Sequence, residues 1–385
     1  MARMTQLKPH QRQSIERERH ATWLELFFDL VFVFAIAQVA HLLHGNPTWI
    51  GIAEFAALFV PVWWRRIDFC YYAYLFTVDH GPYLLVMLSV MFGLVAMALT
   101  LHDTLHGGAL EFAAIYATLR LVIIVLYAQA WRLVRSSRQL TGRYTLSFSI
   151  ALAFWLLSMA VPEPLRFWLW GLALLIEIGN GPLTYLTIRE VPQQQSHMDE
   201  RFGLFVIIVL GEAMIAVATG VAETNWQWQS ALAGAGGFLT AVALWWLYFE
   251  RADETTINWA LRGGKRALLR SYVYGYSHLL AFMGIVGTGV GVQFAIETAG
   301  EGFMTPMRAI LCGGIATFLT GVTLLQWATP RSLPSGVILA RLLLALVALV
   351  LIPLGAAIPP VAIVLVSGLS LVLLNMLDGL PLHSV

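Results

Sequence analysis

The chain has 385 residues, 59% of them hydrophobic and only 12% charged, with a net charge of +1 and a mean hydropathy of +0.74. A soluble domain carries about 25% charged residues, so this composition excludes a water-soluble globular protein and offers no basic surface for nucleic acid. The two cysteines, Cys70 and Cys312, have neither metal-ligand spacing nor a disulfide framework.

Residues 1–22 are polar and read as a cytoplasmic tail; the apolar run that follows is too long for the core of a cleavable signal. Apolar runs then fall near 23–43, 49–64, 82–101, 109–131, 144–161 and 166–186, and again near 202–221, 229–250, 270–296, 304–327, 336–355 and 359–379. Each is about long enough to cross a hydrocarbon core of roughly 30 Å as a helix. The expected fold is therefore an all-α polytopic transmembrane helical bundle of about twelve spans. Prolines at Val161-Pro-Glu-Pro164 and Ile358-Pro-Pro360 mark tight turns within the fifth–sixth and eleventh–twelfth pairs.

Most of the 23 Lys and Arg fall in the N-terminal tail and the even-numbered connections, including Arg65-Arg66 after the second run and Arg189 and Arg201 around the sixth connection. By the positive-inside rule both termini are expected in the cytoplasm of a bacterial inner membrane. Six plus six spans, with Trp63-Trp64 and Trp245-Trp246 at corresponding places, predict two parallel six-helix repeats, 23–186 and 202–379, joined by a connection over 187–201.

The first two runs of the halves also carry the most specific sequence features. Trp23-Leu-Glu-Leu-Phe-Phe-Asp-Leu-Val-Phe-Val33 resembles the opening signature of the bacterial low temperature requirement protein A family. His197-Met-Asp-Glu-Arg-Phe-Gly-Leu-Phe-Val-Ile-Ile-Val-Leu-Gly-Glu212 resembles its second signature, and Trp245-Trp-Leu-Tyr-Phe249 and Tyr276-Ser-His278 follow in the expected order. Many members place Ser after the Gly-Glu pair, where this chain has Ala213. The resemblance implies a multi-pass inner-membrane protein, named for a cold-growth phenotype, and no particular chemistry. Phe28-Asp29 with Val31-Phe-Val-Phe-Ala-Ile36 is also similar to the first-helix signature of the lysosomal potassium channel family, which duplicates a six-helix unit.

Ionisable residues inside the runs are the candidate site, because a charge at mid-bilayer costs at least about 2.5 kcal/mol and usually faces a bundle interior or wet cavity. Glu25 and Asp29 share one face of the first helix, with Arg17 or Arg19 near enough in sequence to meet Glu25. Arg120 sits deep in the fourth, with Glu212, Glu177 and Asp29 as available counter-ions, and Glu212 is the expected one. Glu177 precedes Asn180 and Pro182 in the sixth, while Arg201 and Glu212 lie on one stripe of the seventh and Tyr274 and His278 on one face of the ninth. His197 to Arg201 also reads as a helix start, with Ser196-x-x-Asp199 as a capping box. Gly284, Gly287, Gly289 and Gly291 predict close helix packing. Helices ten to twelve read as scaffold, with Arg341 and Asp378 near their ends.

No sequence marks a metal site, a phosphate loop, a nucleophile elbow or a cofactor. What remains is a proton- or ion-coupled transporter or channel using intramembrane carboxylates, with an unidentified solute or ion. The alternatives are a membrane enzyme doing carboxyl and histidine acid–base chemistry on a lipophilic substrate, or a sensor or assembly factor without turnover. Lipids and a second copy of the chain are the candidate macroscopic partners.

Overall fold

The computed structural model describes residues 23–76, 81–187, 198–224, 227–250, 264–299, 302–329 and 333–379. The polar tail and Ser196 of the proposed capping box, with Arg17, Arg19, Arg189 and His197, lie outside what it describes. Among the described residues twelve α-helices follow one another: α1 Trp23–Gly45, α2 Trp49–Leu75, α3 Gly81–Thr100, α4 Ala109–Leu133, α5 Arg138–Ser158 and α6 Leu165–Thr187. Then come α7 Met198–Glu223, α8 Trp228–Phe249, α9 Gly264–Glu297, α10 Thr305–Trp327, α11 Ser335–Leu354 and α12 Pro360–Gly379. No strand occurs among the described residues.

Ten of the twelve are long and apolar enough to cross a membrane; α2 and α6 are the two that are not. The reason is chemical. α2 carries Arg65, Arg66 and Asp68, and α6 carries Glu177 and Asn180 among its tryptophans and glycines. These helices are too polar to face lipid all round, and Arg65, Arg66, Asp68 and Glu177 are buried in protein instead.

The longest helix, α9, lies at the centre, with 83% of its apolar window buried against 22% for α11. It packs along α10 and α7 and also touches α1, α2 and α6. Close approach to α10 depends on glycine: a Cβ on Gly291 would lie 2.4 Å from the Leu311 Cα, and one on Gly284 would lie 2.4 Å from the Phe318 amide nitrogen. Small residues let backbones meet at such distances, which is the main source of helix–helix attraction where lipid is as apolar as leucine. The glycine run thus packs helices as its sequence predicts.

Side chains satisfy open backbone carbonyls at one turn and within one helix. Arg166 at the start of α6 donates from Nε to the Ser158 carbonyl at 3.1 Å and from Nη2 to the Val161 carbonyl at 3.1 Å, satisfying groups that α5 leaves open. Pro182 within α6 has no N–H for the Ile178 carbonyl, and the Tyr276 hydroxyl of α9 donates to that carbonyl at 2.6 Å.

Arg65 and Arg66 do not lie in a connection. They are interior residues of the 27-residue α2, fully buried, and the segment 76–80 between α2 and α3 carries no Lys or Arg. Arg201 likewise belongs to α7 and is buried. The alternation of positive charge therefore rests on the remaining connections.

Candidate functional site

The ionisable residues do not form one cluster. The structure sorts them into a closed ion network, a second network beside it, an aromatic nest, and an open cavity.

The closed network joins α2, α4 and α6. Arg65 Nη2 lies 2.6 Å from Asp68 Oδ2, one turn on, and 2.9 Å from Glu177 Oε2. Arg120 Nη1 lies 2.8 Å from Asp68 Oδ2, and its Nη2 meets Glu177 Oε2. Tyr116 donates to Glu177 Oε2 at 2.8 Å, and Trp155 donates to Oε1 at 3.2 Å. Arg65 stands over the Tyr116 ring and Arg120 over the Phe148 ring, each 4.2 Å from the centroid. Two cations face two anions, so the buried group is neutral. Arg120 therefore pairs with Glu177 and Asp68, not with Glu212 as its depth in the sequence implied. Beside Asp68 and Glu177, between Tyr71, Tyr127 and Tyr276, about 10 Å³ stays open, room for about one water.

The second network begins at Arg66, on the adjacent face of α2. Its Nε donates to Asp29 Oδ1 at 3.0 Å, its Nη2 donates to the Arg201 carbonyl at 3.0 Å, and its guanidinium lies 3.9 Å over Phe205. Arg201 in turn lies 3.5 Å from the partly exposed Glu25. Asp29, Glu25 and Arg201 thus come together through an arginine that its position in a run of charges disguised; the sequence offers Arg17 or Arg19 to Glu25 and places Arg201 on a stripe with Glu212.

His278 is fully buried and stacks on Phe202 with ring centroids 4.0 Å apart. Its Nδ1 faces the Tyr274 carbonyl at 2.8 Å, which can only accept, so Nδ1 carries hydrogen. In the neutral ring Nε2 then accepts from the Tyr248 hydroxyl at 2.9 Å. Both nitrogens are occupied, and the His278 and Tyr274 pair acts as a bonded core element joining α8 to α9.

Glu212 stands apart from all of these. It is half-buried on α7 and makes no hydrogen bond or ion pair with any described residue. It lines a cavity of about 450 Å³ between α1, α7 and α9, with Gln38, His41, His44, Glu223 and Gln293. At the cavity's outer end His44 lies 3.0 Å from Glu297, which also accepts from Gln293 at 2.9 Å. Glu212 and Glu223 are eleven residues apart, about 16 Å along the helix axis. The cavity therefore reaches from the end of α7 to near its middle. Its neighbour Ala213 touches Gly289 of α9, with a Cβ on that glycine only 2.8 Å from the Ala213 Cα; the position serves packing.

Sequence reasoning missed Arg65, Arg66 and Asp68 and the polar stripe of Gln38, His41 and His44. Signals existed for both. The apolar pattern of α2 resumes as Ile67-x-Phe69-Cys70, and Arg65 to Asp68 has the spacing of neighbours on one helix face. Gln38, His41 and His44 recur every three residues. In the second half, Arg341 donates to Asp378 at 2.9 and 2.6 Å and to Gln326 at 2.7 Å. The pair read as lying near helix ends is thus a buried bridge among α10, α11 and α12. No group of three or more His, Cys, Asp or Glu that suits a metal occurs among the described residues.

Apolar helices around buried, paired charges define a multi-pass helical membrane protein. Residues 20–376 match the family described as bacterial low temperature requirement A protein (LtrA), and the chain belongs to that family. It is also 29% identical over 327 residues to "Uncharacterized protein RA0937" of Rhizobium meliloti (strain 1021), covering 82% of this chain and 79% of the relative.

Proposed function

We propose that the protein is a proton- or ion-coupled transporter or channel of the bacterial inner membrane, with both termini in the cytoplasm, and that Glu212 is its titrating group. The observation that carries this is a carboxylate near mid-span, without a partner among the described residues, at the inner end of an open cavity. A carboxylate held there is costly unless it is used, and the other deep acids, Asp29, Asp68 and Glu177, each have an arginine. The closed network supports a different role for those acids. It pairs two cations with two anions and leaves room for no lipophilic substrate, so it suits a fixed partition across the bundle better than acid–base catalysis. The two halves, 23–186 and 202–379, are read as duplicated units that rock about α9, and the family phenotype is read as a need for this flux in the cold.

The test is flux in proteoliposomes. Protein reconstituted at acid-inside and acid-outside pH gradients should dissipate them faster than empty vesicles, and an ionophore-matched control should show the membrane itself to be tight. Vesicles with protein that hold every imposed H⁺, Na⁺ and K⁺ gradient as well as empty ones would remove the reading.

A further inference from the structure

We infer that the α1–α7–α9 cavity binds an elongated organic polycation, a linear polyamine, with its ammonium groups divided between Glu212 and Glu223. This names the solute for the transport reading and rests on that reading for its use by the cell. Four observations lead to it.

The first is charge. Glu212 and Glu223 line the cavity, and no Lys or Arg among the described residues does. At the outer end His44 lies 3.0 Å from Glu297. The described lining is thus net acidic although part of it, Glu223 included, is exposed, and a cleft of one sign concentrates ions of the other.

The second is size. About 450 Å³ falls within the range of small-molecule sites. It is far more than a dehydrated ion occupies, and the lining lacks the convergent oxygen cage that such an ion requires.

The third is shape. Eleven residues turn an α-helix almost a whole number of times, so Glu212 and Glu223 point the same way, about 16 Å apart. Thr219 lies between them on the same wall, and Gln38 and His41 stand opposite on α1. An extended tetraamine such as spermine has about this length. A monoamine would satisfy one carboxylate and leave the other.

The fourth is the remaining wall. Ile215, Ala216 and Val290 are apolar and lie between the acids, which suits methylene segments separating ammonium groups. Apolar surface for the chain and a few placed polar groups for the ends is the usual division of labour in a ligand site.

The experiment is calorimetric titration of the whole protein in phosphatidylcholine nanodiscs, a zwitterionic lipid chosen because anionic headgroups would bind the probe. Spermine should bind at least tenfold tighter than 1,3-diaminopropane or butylamine. Glu212→Gln and Glu223→Gln should each weaken spermine at least tenfold and leave 1,3-diaminopropane within about threefold. Neither residue belongs to a buried ion pair, so melting temperature should be unchanged. Should either variant fail to fold, Ala216→Leu, which narrows the cavity without touching a charge, should itself weaken spermine at least tenfold. Affinity independent of amine length, or spermine binding untouched by these substitutions, would overturn the inference. The two readings separate cleanly. Proton flux lost in Glu212→Gln with no spermine binding keeps transport and removes the polyamine. Spermine binding of the stated pattern with no flux keeps the site and removes transport.

Discussion

Replacing Arg120 with alanine removes one of two cations from a neutral, fully buried group. Arg65 would be left to serve both Asp68, at 2.6 Å, and Glu177, at 2.9 Å. The network then carries one uncompensated negative charge, and the cation over the Phe148 ring is lost as well. Breaking a buried pair from one side costs about 3–5 kcal/mol, mostly because the survivor stays desolvated. Tyr116 and Trp155 continue to donate to Glu177, which places the expected loss at the lower end, about 3 kcal/mol. In detergent this should lower the melting temperature by on the order of 5 °C, read by tryptophan fluorescence. Arg120→Ala with Glu177→Ala restores neutrality around the Arg65–Asp68 pair, so the double variant should recover about 2 kcal/mol of the summed losses, within the usual range for contacting residues. Arg120→Ala with Glu212→Ala should instead be additive to within about 0.5 kcal/mol, because the two do not meet. Strong coupling of Arg120 to Glu212, or additivity with Glu177, would refute the geometry of the network.

Three further outcomes follow from the packing. Tyr276→Phe strands the Ile178 carbonyl that Pro182 leaves free and should cost about 1–3 kcal/mol; Pro182→Ala restores an amide donor, and in that background the same substitution should cost less when melting is compared. Gly291→Leu forces a side chain into the Leu311 backbone and should abolish the monodisperse peak on size exclusion, whereas Gly313→Leu, with nothing within 4 Å of an added Cβ, should not. Arg341→Met should lower melting by several degrees because the buried Asp378 loses this cation, and adding Asp378→Leu should restore most of it, since an apolar replacement of a whole buried pair is often neutral.

How much of this was legible in the sequence depended on the kind of signal. Twelve apolar runs correspond to twelve helices because in lipid a continuous apolar stretch has little alternative to helix. The fifth shows the usual boundary error: the run near 144–161 begins six residues after the helix Arg138–Ser158 does, since polar residues in its first turns face the protein or its edge. Charge was harder. Arg65-Arg66 has the appearance of a cytoplasmic loop, and only the tertiary burial of Asp29, Asp68 and Glu177 beside it reveals two interior counter-ions. The pairing of Arg120 could not be read from depth alone, because Glu177 and Glu212 lie at similar depths and only helix order around the bundle distinguishes them. His278 looked reactive from its type and depth, and its two hydrogen bonds show it to be held. Glu212 was visible from the start as a lone acid in an apolar helix; that it stays unpaired, and that Gln38, His41 and His44 of α1 face it across a cavity, required the packing of α1 on α7.

On the proposed function, Glu212 is kept for titration and the arginine-paired acids for architecture. The most direct measurement takes Glu212→Gln and wild type from the same purification and records melting and pH-gradient dissipation side by side in proteoliposomes. Glutamine keeps the volume and hydrogen-bonding capacity of the side chain and removes its charge. Because Glu212 has no partner among the described residues, melting should stay within about 1 °C of wild type or rise, since an unpaired charge is relieved, and dissipation should fall to the rate of empty vesicles. A Glu212→Gln protein that melts normally and dissipates the gradient at the wild-type rate would contradict the account.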